Sequence, residues 1–496
     1  MKNSIRLQSA LSIAIGIMLP VTPILAQDSE TRILEEIIVT AQYREQGLQD
    51  VPISIMAVTA DVITSTVIQK VEDIQFLVPN LTITETGIST NTFIRGIGSG
   101  VNQGFEQSVG TYIDGIYFGR GQQFRAPFLD IERIEVLRGP QSILFGKNSV
   151  AGALNITTAR PTQEFEGRAM VSKEFEDDET ILELTLSGPL SDRVRGRLAA
   201  RTRDSDGYMR NATLNRNEPE REDWTVRGLL EFDVSDNLMA TVKVEVGEFD
   251  VHGRHIEIVN EKPATAGPFT GLMYNQILGL VFGQDASVFN VTQDEIRSSN
   301  DDFSFNKSDT FSIKLDWTTG DFEIESLTAY NKFKYDEFCD CDFTGANVFE
   351  AALQEEYSQF SQELRLTSPL GGNFDYIAGL YYQTSEHEYG DQIIVPANSI
   401  LVPAVNGLSP GAGDLLAGTE ASRLALVDAD VFSVFAQLNW HLSDVHTLQV
   451  GGRITNDKRD GSRTLSVFAQ GGGALPGAQF AAPIVYANAF GITSTN

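Results

Sequence analysis

The chain has 496 residues, and 67 Asp and Glu against 37 Lys and Arg give a formal net charge of −30. This acidity argues against a nucleic-acid binder, which would need a basic face for phosphate. Two cysteines exclude a disulfide scaffold, and the lack of long apolar runs beyond the N-terminus excludes a bundle of membrane-spanning helices.

Residues 1–26 have the layout of a secretory signal peptide. Lys2 and Arg6 precede the apolar run 11–19, two prolines follow, and cleavage is expected after Ala26. A membrane anchor is the alternative, but the run is too short to span a bilayer. A periplasmic or outer-membrane destination follows, so both cysteines enter an oxidising compartment.

Residues 27–160 read as a flexible segment, 27–47, and a compact module, 48–160. The β-branched run 36–41 lies near the free end and is suited to adding a strand to another protein's sheet; an ordinary first strand is the alternative. Asp114-Gly115 predicts a type I′ hairpin turn, which needs positive φ at both positions. Helical stretches are predicted after Thr59 and over 71–77, and strands over 81–85, 91–97, 109–113, 116–118 and 131–137.

Residues 161–496 alternate apolar and polar side chains, as from Phe311 to Trp317. Short turns alternate with long segments at 204–221, 250–305, 336–353 and 390–427. A membrane β-barrel has short turns on one rim and long loops on the other, whereas a sandwich has no reason to sort its loops in this way. We therefore predict a mainly β protein with about eleven or twelve barrel strands, centred near residues 170, 182, 198, 227, 243, 312, 327, 361, 380, 435, 451 and 465.

Several motifs in the first 160 residues resemble those of TonB-dependent outer-membrane receptors. They are EIIVTA at 36–41, FIRG at 93–96, YIDGIY at 112–117, IEVLRGP at 134–140, and FG at 145–146 followed by AGALNIT at 151–157. The resemblance implies an α+β plug inside a transmembrane antiparallel β-barrel of about 22 strands. It also implies TonB-energised uptake of a scarce nutrient, most often a ferric siderophore.

The resemblance further implies roles for individual residues. The TonB box, which would bind TonB, comprises Glu36, Ile37, Ile38, Val39, Thr40 and Ala41. Arg95 and Arg138 of the plug are expected to pair with carboxylates on the barrel wall and to gate the plug. Glu363 is the partner that we select, and a solvated lumen carboxylate is the alternative.

Ligand contacts are expected at a glycine-rich plug apex, for which a flexible loop is the alternative. Its candidate residues are Gly98, Asn102, Gln103 and Phe105. Cys339 and Cys341 would form a disulfide or paired thiols; a metal is disfavoured because no third ligand lies nearby in the sequence. No catalytic triad, zinc motif or correctly spaced nucleotide loop is found, so we expect no enzyme activity, no metal and no cofactor.

Three functions compete at this stage. The first is a receptor for a ferric chelate, with TonB, outer-membrane lipid and the chelate as partners. The second is a receptor of the same fold for a carbohydrate or another bulky nutrient, and the third is a passive or structural barrel with a vestigial plug. Because residues 161–496 hold half of the implied strands, we also expect that the sequence is the N-terminal part of a longer receptor.

Overall fold

In the computed structural model of the chain, the described residues are 38–490 except 41, 67, 86–89, 101–103, 105, 124, 126–127, 266 and 444. The signal-peptide prediction for residues 1–26 lies outside them. Within the described part, no helix is long and apolar enough to cross a membrane.

The N-terminal domain, residues 38–160, combines short strands with helical turns. Its elements are β1 (Ile38–Val39), β2 (Gln46–Gly47), β3 (Ile55–Thr59), α1 (Ala60–Ser65), a 3₁₀ helix (Val71–Phe76), β4 (Leu81–Glu85), β5 (Thr90–Ile94), β6 (Ile97–Gly98), β7 (Val109–Ile113), β8 (Ile116–Phe118), β9 (Ile131–Arg138) and β10 (Gly152–Thr158). Five of the strands form one sheet in the order β3-β9-β10-β7-β8, in which β10 is parallel to β7 and antiparallel to β9. The apolar side chains of this sheet and of the two helical stretches share one core.

Local sequence signals account for much of this domain. Asp114 and Gly115 have φ angles of 51° and 82°, which confirms the predicted turn between β7 and β8. The stretch predicted after Thr59 is a short helix, and Thr59 makes no side-chain capping hydrogen bond. The strand predicted over 91–97 is divided into β5 and β6, because Arg95 and Gly96 adopt positive φ and form a tight turn.

The remaining large sheet contains eleven antiparallel strands that pair in sequence order. They are β11 (Glu166–Lys173), β12 (Thr180–Ser191), β13 (Val194–Ser205), β16 (Glu220–Ser235), β17 (Leu238–His252), β19 (Phe303–Thr319), β20 (Phe322–Cys339), β21 (Glu350–Thr367), β22 (Phe374–Val395), β23 (Thr419–Ser443) and β24 (His446–Ala469). This confirms the predicted number, but the centres near 451 and 465 lie in the single strand β24 and not in two strands.

The large sheet exposes apolar side chains and buries polar ones. On β23, Phe432 is 50% and Trp440 43% exposed, whereas Ser433 and Gln437 are buried. The same alternation occurs on β19, where Phe311, Leu315 and Trp317 are exposed and Ser312 is buried. An apolar exterior around a polar interior is the pattern of a membrane barrel wall.

The connections of the large sheet differ between its two edges. At the short-turn edge, residues 192–193, 236–237, 320–321 and 368–373 join the strands, and β23 and β24 follow one another closely, ending at Ser443 and beginning at His446. At the long-loop edge, the connections are 174–179, 206–219, 253–302, 340–349 and 396–418. The long loops carry β14 (Met209–Asn211), β15 (Arg216–Glu218) and β18 (Ile296–Arg297), which form a small sheet, and the helices α2 (Tyr274–Gln276) and α3 (Leu401–Leu408); α4 (Ala482–Phe490) follows β24.

The large sheet wraps around the N-terminal domain. Side chains of β13, near one end of the sheet, and of β24, at the other end, both reach this domain. Contacts from Asn331 on β20 and Gln359 on β21 lie between them. The buried polar face of the sheet is therefore the face that holds the N-terminal domain, and every candidate site lies on or between these two parts.

Candidate functional site

The segment predicted to be a TonB box is folded against the N-terminal domain. Ile38 and Val39 pair with Gly47 and Gln46 in a two-stranded ribbon. The backbone N–H of Thr40 donates to Glu135 Oε1 at 2.7 Å. Glu36, Ile37 and Ala41 lie outside the described residues, so the structure places half of the predicted box, as a strand within the domain.

Tyr43 and Arg44, which follow β1, fasten the N-terminal segment to the large sheet. The guanidinium of Arg365 lies 3.7 Å from the ring centroid of Tyr43. Arg44 forms an ion pair with Asp375 at 3.3 Å and donates to the Tyr376 carbonyl at 3.0 Å. Asp375 and Tyr376 lie at the start of β22, at the short-turn edge, so Arg44 connects the N-terminal segment to this edge of the large sheet.

The predicted pairing of Arg95 and Arg138 with Glu363 is not what the structure shows. Glu363 pairs with Arg365, two residues away on the same strand, at 2.7 Å. Arg95 is exposed in the turn between β5 and β6, and within the described residues neither plug arginine forms an ion pair. The choice of partner is therefore corrected: Glu363 belongs to a cluster within the wall of the large sheet, which includes Glu325 opposite Arg365.

Three arginines of β13 and β16 converge on residues 128–130 of the N-terminal domain. Arg197 donates through two nitrogens to the Asp130 carboxylate, both at 2.6 Å. Arg227 donates to the Leu129 carbonyl at 2.6 Å, and Arg201 to the Phe128 carbonyl at 3.0 Å. Three guanidinium groups of the wall thus hold one short segment of the N-terminal domain.

The predicted Asp114-Gly115 turn supplies another link to this wall. Asp114 accepts a hydrogen bond from Lys243 Nζ of β17 at 2.7 Å and one from the Thr158 backbone N–H at 2.8 Å. Burial alone would raise the pKa of Asp114, but the positive charges of Lys243 and Arg227 outweigh it and lower the pKa to about 2. The carboxylate therefore stays ionised at neutral pH and can act as a fixed anchor.

The contact between the N-terminal domain and strands β22 and β23 is mainly aromatic. Phe145 packs between Tyr43 and Tyr112, at centroid distances of 5.6 and 4.9 Å, and shares a buried cluster with Ile377 and Phe435 of the large sheet. Charged pairs border this cluster toward β24. They are Glu106 with Arg459 at 2.7 Å and Lys147 with Asp457 at 3.3 Å.

A cavity of about 250 Å³ opens between the two parts toward the long-loop edge. Its walls include Phe249 of the large sheet and Tyr208 of loop 206–219. Six basic side chains line it, against two acidic ones: Lys70, Arg125, Arg203, Arg221, Arg254 and His255 against Glu72 and Asp177. Three of the arginines also form ion pairs behind the lining: Arg203 with Glu179, Arg221 with Asp223, and Arg254 with Glu337. Part of the positive charge is therefore compensated, but basic groups still outnumber acidic ones at the cavity surface, which suits a polar or anionic ligand.

Of the four residues predicted to form the plug apex, the structure describes Gly98, which does not line this cavity. Gly98 ends β6, and a Cβ there would lie 2.3 Å from the ring of Phe93. Because Phe93 packs so closely, the position has room for glycine but not for a larger residue. Asn102, Gln103 and Phe105 lie outside the described residues, so the structure does not place them.

The two cysteines form a disulfide, Cys339–Cys341, where β20 enters loop 340–349. The carboxylates of Asp340 and Asp342 alternate with them and lie close to one another. Burial, and then the charge of Asp340, raise the pKa of Asp342 to about 8. Among the described residues, no group of three or more His, Cys, Asp or Glu side chains is arranged to hold a metal ion.

The basic side chains that hold the N-terminal domain were not predicted, although the sequence carries a signal for them. Arg197 and Arg201, which contact this domain, lie on the same face of β13 as Arg195 and Arg203. The latter two pair with Glu231 and Glu179 instead. Because side chains two residues apart share one face of a strand, this spacing places all four on the inner face. The choice of acidic partners had been guided by the resemblance and not by this periodicity.

Comparison with known families gives two matches along the chain. Residues 47–153 match the TonB-dependent receptor plug domain, and residues 258–483 match the TonB-dependent receptor-like β-barrel. The order of the two matches is that of the N-terminal domain and the large sheet.

Curated relatives share limited stretches. The iron-regulated outer membrane virulence protein of Vibrio cholerae is 31% identical over 207 residues, which cover 40% of this chain and 31% of the relative. The ferripyoverdine receptor of Pseudomonas aeruginosa is 25% identical over 207 residues, 41% of this chain and 24% of the relative. The matched stretches thus span less than a third of the length of these relatives.

Solved structures share the fold over most of the chain. The ferric yersiniabactin uptake receptor FyuA of Yersinia pestis superposes with a TM-score of 0.61 at 18% identity, covering 84% of this chain and 61% of that receptor. The ferripyoverdine receptor of Pseudomonas aeruginosa gives a TM-score of 0.62 at 16% identity, covering 87% and 56%.

Proposed function

Because this chain belongs to the TonB-dependent receptors of the outer membrane, we propose that it serves TonB-energised uptake of a scarce nutrient, with a ferric siderophore complex as the ligand. The N-terminal domain is the plug and the large sheet is barrel wall. In this proposal the protein binds its ligand at the long-loop edge and releases it inward when the plug is displaced. No chemical step is assigned to the protein.

The observation that carries the choice of ligand is the cation-rich cavity between the plug and the wall. Iron is held in siderophores by oxygen-rich groups that are commonly anionic, and such a complex would gain charge-assisted hydrogen bonds from guanidinium groups. Arg203 and Arg221 line the cavity from adjacent strands, and Phe249 offers an aromatic surface beside them. A neutral sugar would gain less binding energy from these guanidinium groups.

Relatives support iron but do not agree on one ligand. These relatives include an iron-regulated protein, a ferripyoverdine receptor, a hemin receptor and a vitamin B12 transporter. These names concern other proteins, which the chain matches over part of their length. They support a bulky, scarce nutrient as the ligand, and the lining of the cavity favours an anionic nutrient within that class.

Direct binding tests the ligand class. Outer-membrane vesicles that contain the protein would be titrated with ferric catecholate, hydroxamate and carboxylate siderophores and with neutral oligosaccharides. We expect at least one ferric chelate to bind, and the substitution Arg203→Gln to weaken it about tenfold or more through loss of a charged hydrogen bond. Arg193→Gln is the matched control, because Arg193 is 64% exposed at the short-turn edge and should leave binding unchanged.

Oligosaccharide binding without any chelate binding would replace this ligand by the carbohydrate alternative. Energised transport is tested separately, by deleting residues 37–40 and measuring uptake in cells. Binding should persist in this deletion while uptake stops, because the segment would no longer offer a strand to TonB. Uptake that continues unchanged would favour the passive barrel.

A further inference from the structure

Loop 340–349 joins β20 to β21 at the long-loop edge and begins within the short ring closed by the Cys339–Cys341 disulfide. Two carboxylates, Asp340 and Asp342, alternate with the two cysteines. Neither takes part in the ligand cavity or in the contacts between the plug and the wall. Their surroundings therefore need an explanation of their own.

One carboxylate oxygen of Asp340 is well satisfied and the other is not. Oδ2 accepts the Asn300 backbone N–H at 2.7 Å and the Ser299 hydroxyl at 2.9 Å. Oδ1 is buried and receives no hydrogen bond from the described residues, although the side chain as a whole is 0% exposed. A fully buried acceptor without a donor is costly unless something else neutralises it.

Asp342 repeats this arrangement. Its Oδ1 accepts the Thr344 backbone N–H at 3.0 Å and the Thr344 hydroxyl at 2.5 Å, while Oδ2 is buried without a donor among the described residues. The side chains of Asp340 and Asp342 are in direct contact. Within the described part of the chain, no lysine or arginine forms an ion pair with either one, so no basic side chain offsets the charge of this pair.

A fully buried carboxylate in contact with a partly buried one needs either a shared proton or a cation between them. The atoms on offer are oxygens, and the nearby sulfurs are bonded to one another, so soft metals that require thiolate are disfavoured. Oxygen donors of this kind suit Ca²⁺, which accepts irregular geometry and incomplete protein coordination completed by water. We propose that Asp340 and Asp342 bind a calcium ion at the cell surface through Oδ1 and Oδ2, respectively.

Two carboxylates make this a weak site. No third acidic, histidine or cysteine ligand joins the pair among the described residues, so neutral oxygens and water complete the shell. Sites of this kind in extracellular proteins bind in the range of about 10⁻⁴–10⁻³ M, which matches calcium concentrations outside cells. The site would therefore be filled outside the cell and emptied by a chelator.

Occupancy would connect two long loops. Asp340 already holds Ser299 and Asn300 at the end of loop 253–302, while Asp342 and Thr344 belong to loop 340–349. A cation that removes the repulsion between the carboxylates would stabilise both loops in the arrangement seen here. This role does not depend on which nutrient the receptor transports.

Calorimetric titration with CaCl₂ tests the site on the intact protein in detergent, after treatment with EDTA. We expect saturable binding that weakens at least tenfold in both Asp340→Asn and Asp342→Asn. Asparagine keeps an acceptor for the existing hydrogen bonds, so these variants should fold. Asp301→Asn is the control, because Asp301 lies in the same loop region but is exposed and paired with Arg216 at 2.6 Å.

Terbium luminescence gives an independent readout. Tyr274 lies against Thr344 and should sensitise Tb³⁺ bound at Asp342. Calcium should displace terbium in the unaltered protein, and the signal should be absent from Asp342→Asn. Calcium binding that is undetectable at about 10 mM, or equally strong in all three variants, would overturn the site in favour of a shared proton.

Discussion

The plug is held differently by the two halves of the wall. Strands β13, β16 and β17 hold it through guanidinium and ammonium groups, which reach Asp130, Asp114 and the carbonyls of residues 128–130. Strands β20, β22 and β23 meet it mainly through hydrophobic clusters, with the Arg44–Asp375 ion pair on β22 as an exception at the short-turn edge. Among the described residues, no hydrophobic cluster joins the plug to β13, β16 or β17.

The two kinds of contact respond differently to movement. A bidentate ion pair such as Arg197–Asp130 holds one geometry and loses its strength when either partner shifts. An aromatic cluster has no single required geometry and keeps part of its contact area as rings slide. The first half of the wall therefore fixes where the plug sits, and the second half supplies area that can be repacked.

The largest effect is expected at the centre of the aromatic half. Phe145→Ala removes a ring that is 94% buried (6% exposed) between Tyr43 and Tyr112, so a cavity forms where the two parts meet. We expect the free energy of plug opening to fall by about 4 kcal/mol. Amide hydrogen exchange of β7, β9 and β10 would measure it.

Phe76→Ala is the matched control for this substitution. Phe76 belongs to the same domain but is 82% exposed, so its truncation should change the opening free energy by less than about 0.5 kcal/mol. Equal effects of Phe76→Ala and Phe145→Ala would show that the aromatic cluster is not a structural contact.

Removing one partner of the Asp130–Arg197 pair should have the next largest effect. Asp130→Ala leaves the Arg197 guanidinium without its carboxylate in a partly buried site, at an expected cost of about 3 kcal/mol. Asp236→Ala provides the contrast, because Asp236 is fully exposed and lies 3.8 Å from Arg193. If Asp130→Ala leaves the hydrogen-exchange protection of the plug unchanged, the polar half of the wall does not fix the plug.

Much of the plug could be predicted from the sequence because its signals are local. A type I′ turn needs positive φ at two positions, and Asp114-Gly115 supplies it. The wall was predicted from alternation, which lipid imposes on every strand. That constraint ends where a strand leaves the membrane. Two strands centred near 451 and 465 were therefore predicted, although the polar run 456–463 between them pairs with 425–432 of β23 in one continuous strand.

The candidate site was less predictable because pairing between distant strands leaves no local signal. Arg95 and Arg138 were matched to Glu363 by resemblance, yet Glu363 and Arg365 lie on one face of the same strand. That pair could have been found from a spacing of two residues. The Asp130–Arg197 pair could not, because it depends on how the domain sits in the wall.

Acid should weaken the polar half through Asp114, whose pKa is about 2 because Lys243 and Arg227 outweigh the effect of burial. A lowered pKa means that the stabilisation is complete above the unfolded value of about 3.8 and is lost as the pH falls through about 2. The difference in opening free energy between the unaltered protein and Asp114→Asn should shrink by about 2 kcal/mol across this window. A difference that stays constant from pH 5 to pH 2 would contradict the assignment of the Asp114–Lys243 link.

The smallest effect is expected from Gly115→Ala, which tests how the turn positions Asp114 next to Lys243. Gly115 has φ of 82°, and a Cβ there would lie 3.1 Å from Leu327 Cδ2 of the wall, so Gly115→Ala should cost about 1 kcal/mol of opening free energy. Gly320→Ala is the matched control: Gly320 has φ of 61° in a turn of the large sheet, with open space around its Cβ position, and should leave plug exchange unchanged. Since the strained turn would also displace the Asp114 carboxylate, Gly115→Ala combined with Asp114→Asn should cost less than the sum of the two changes. Strict additivity would show that the turn and the ion pair act separately, and that the polar half depends on the carboxylate alone.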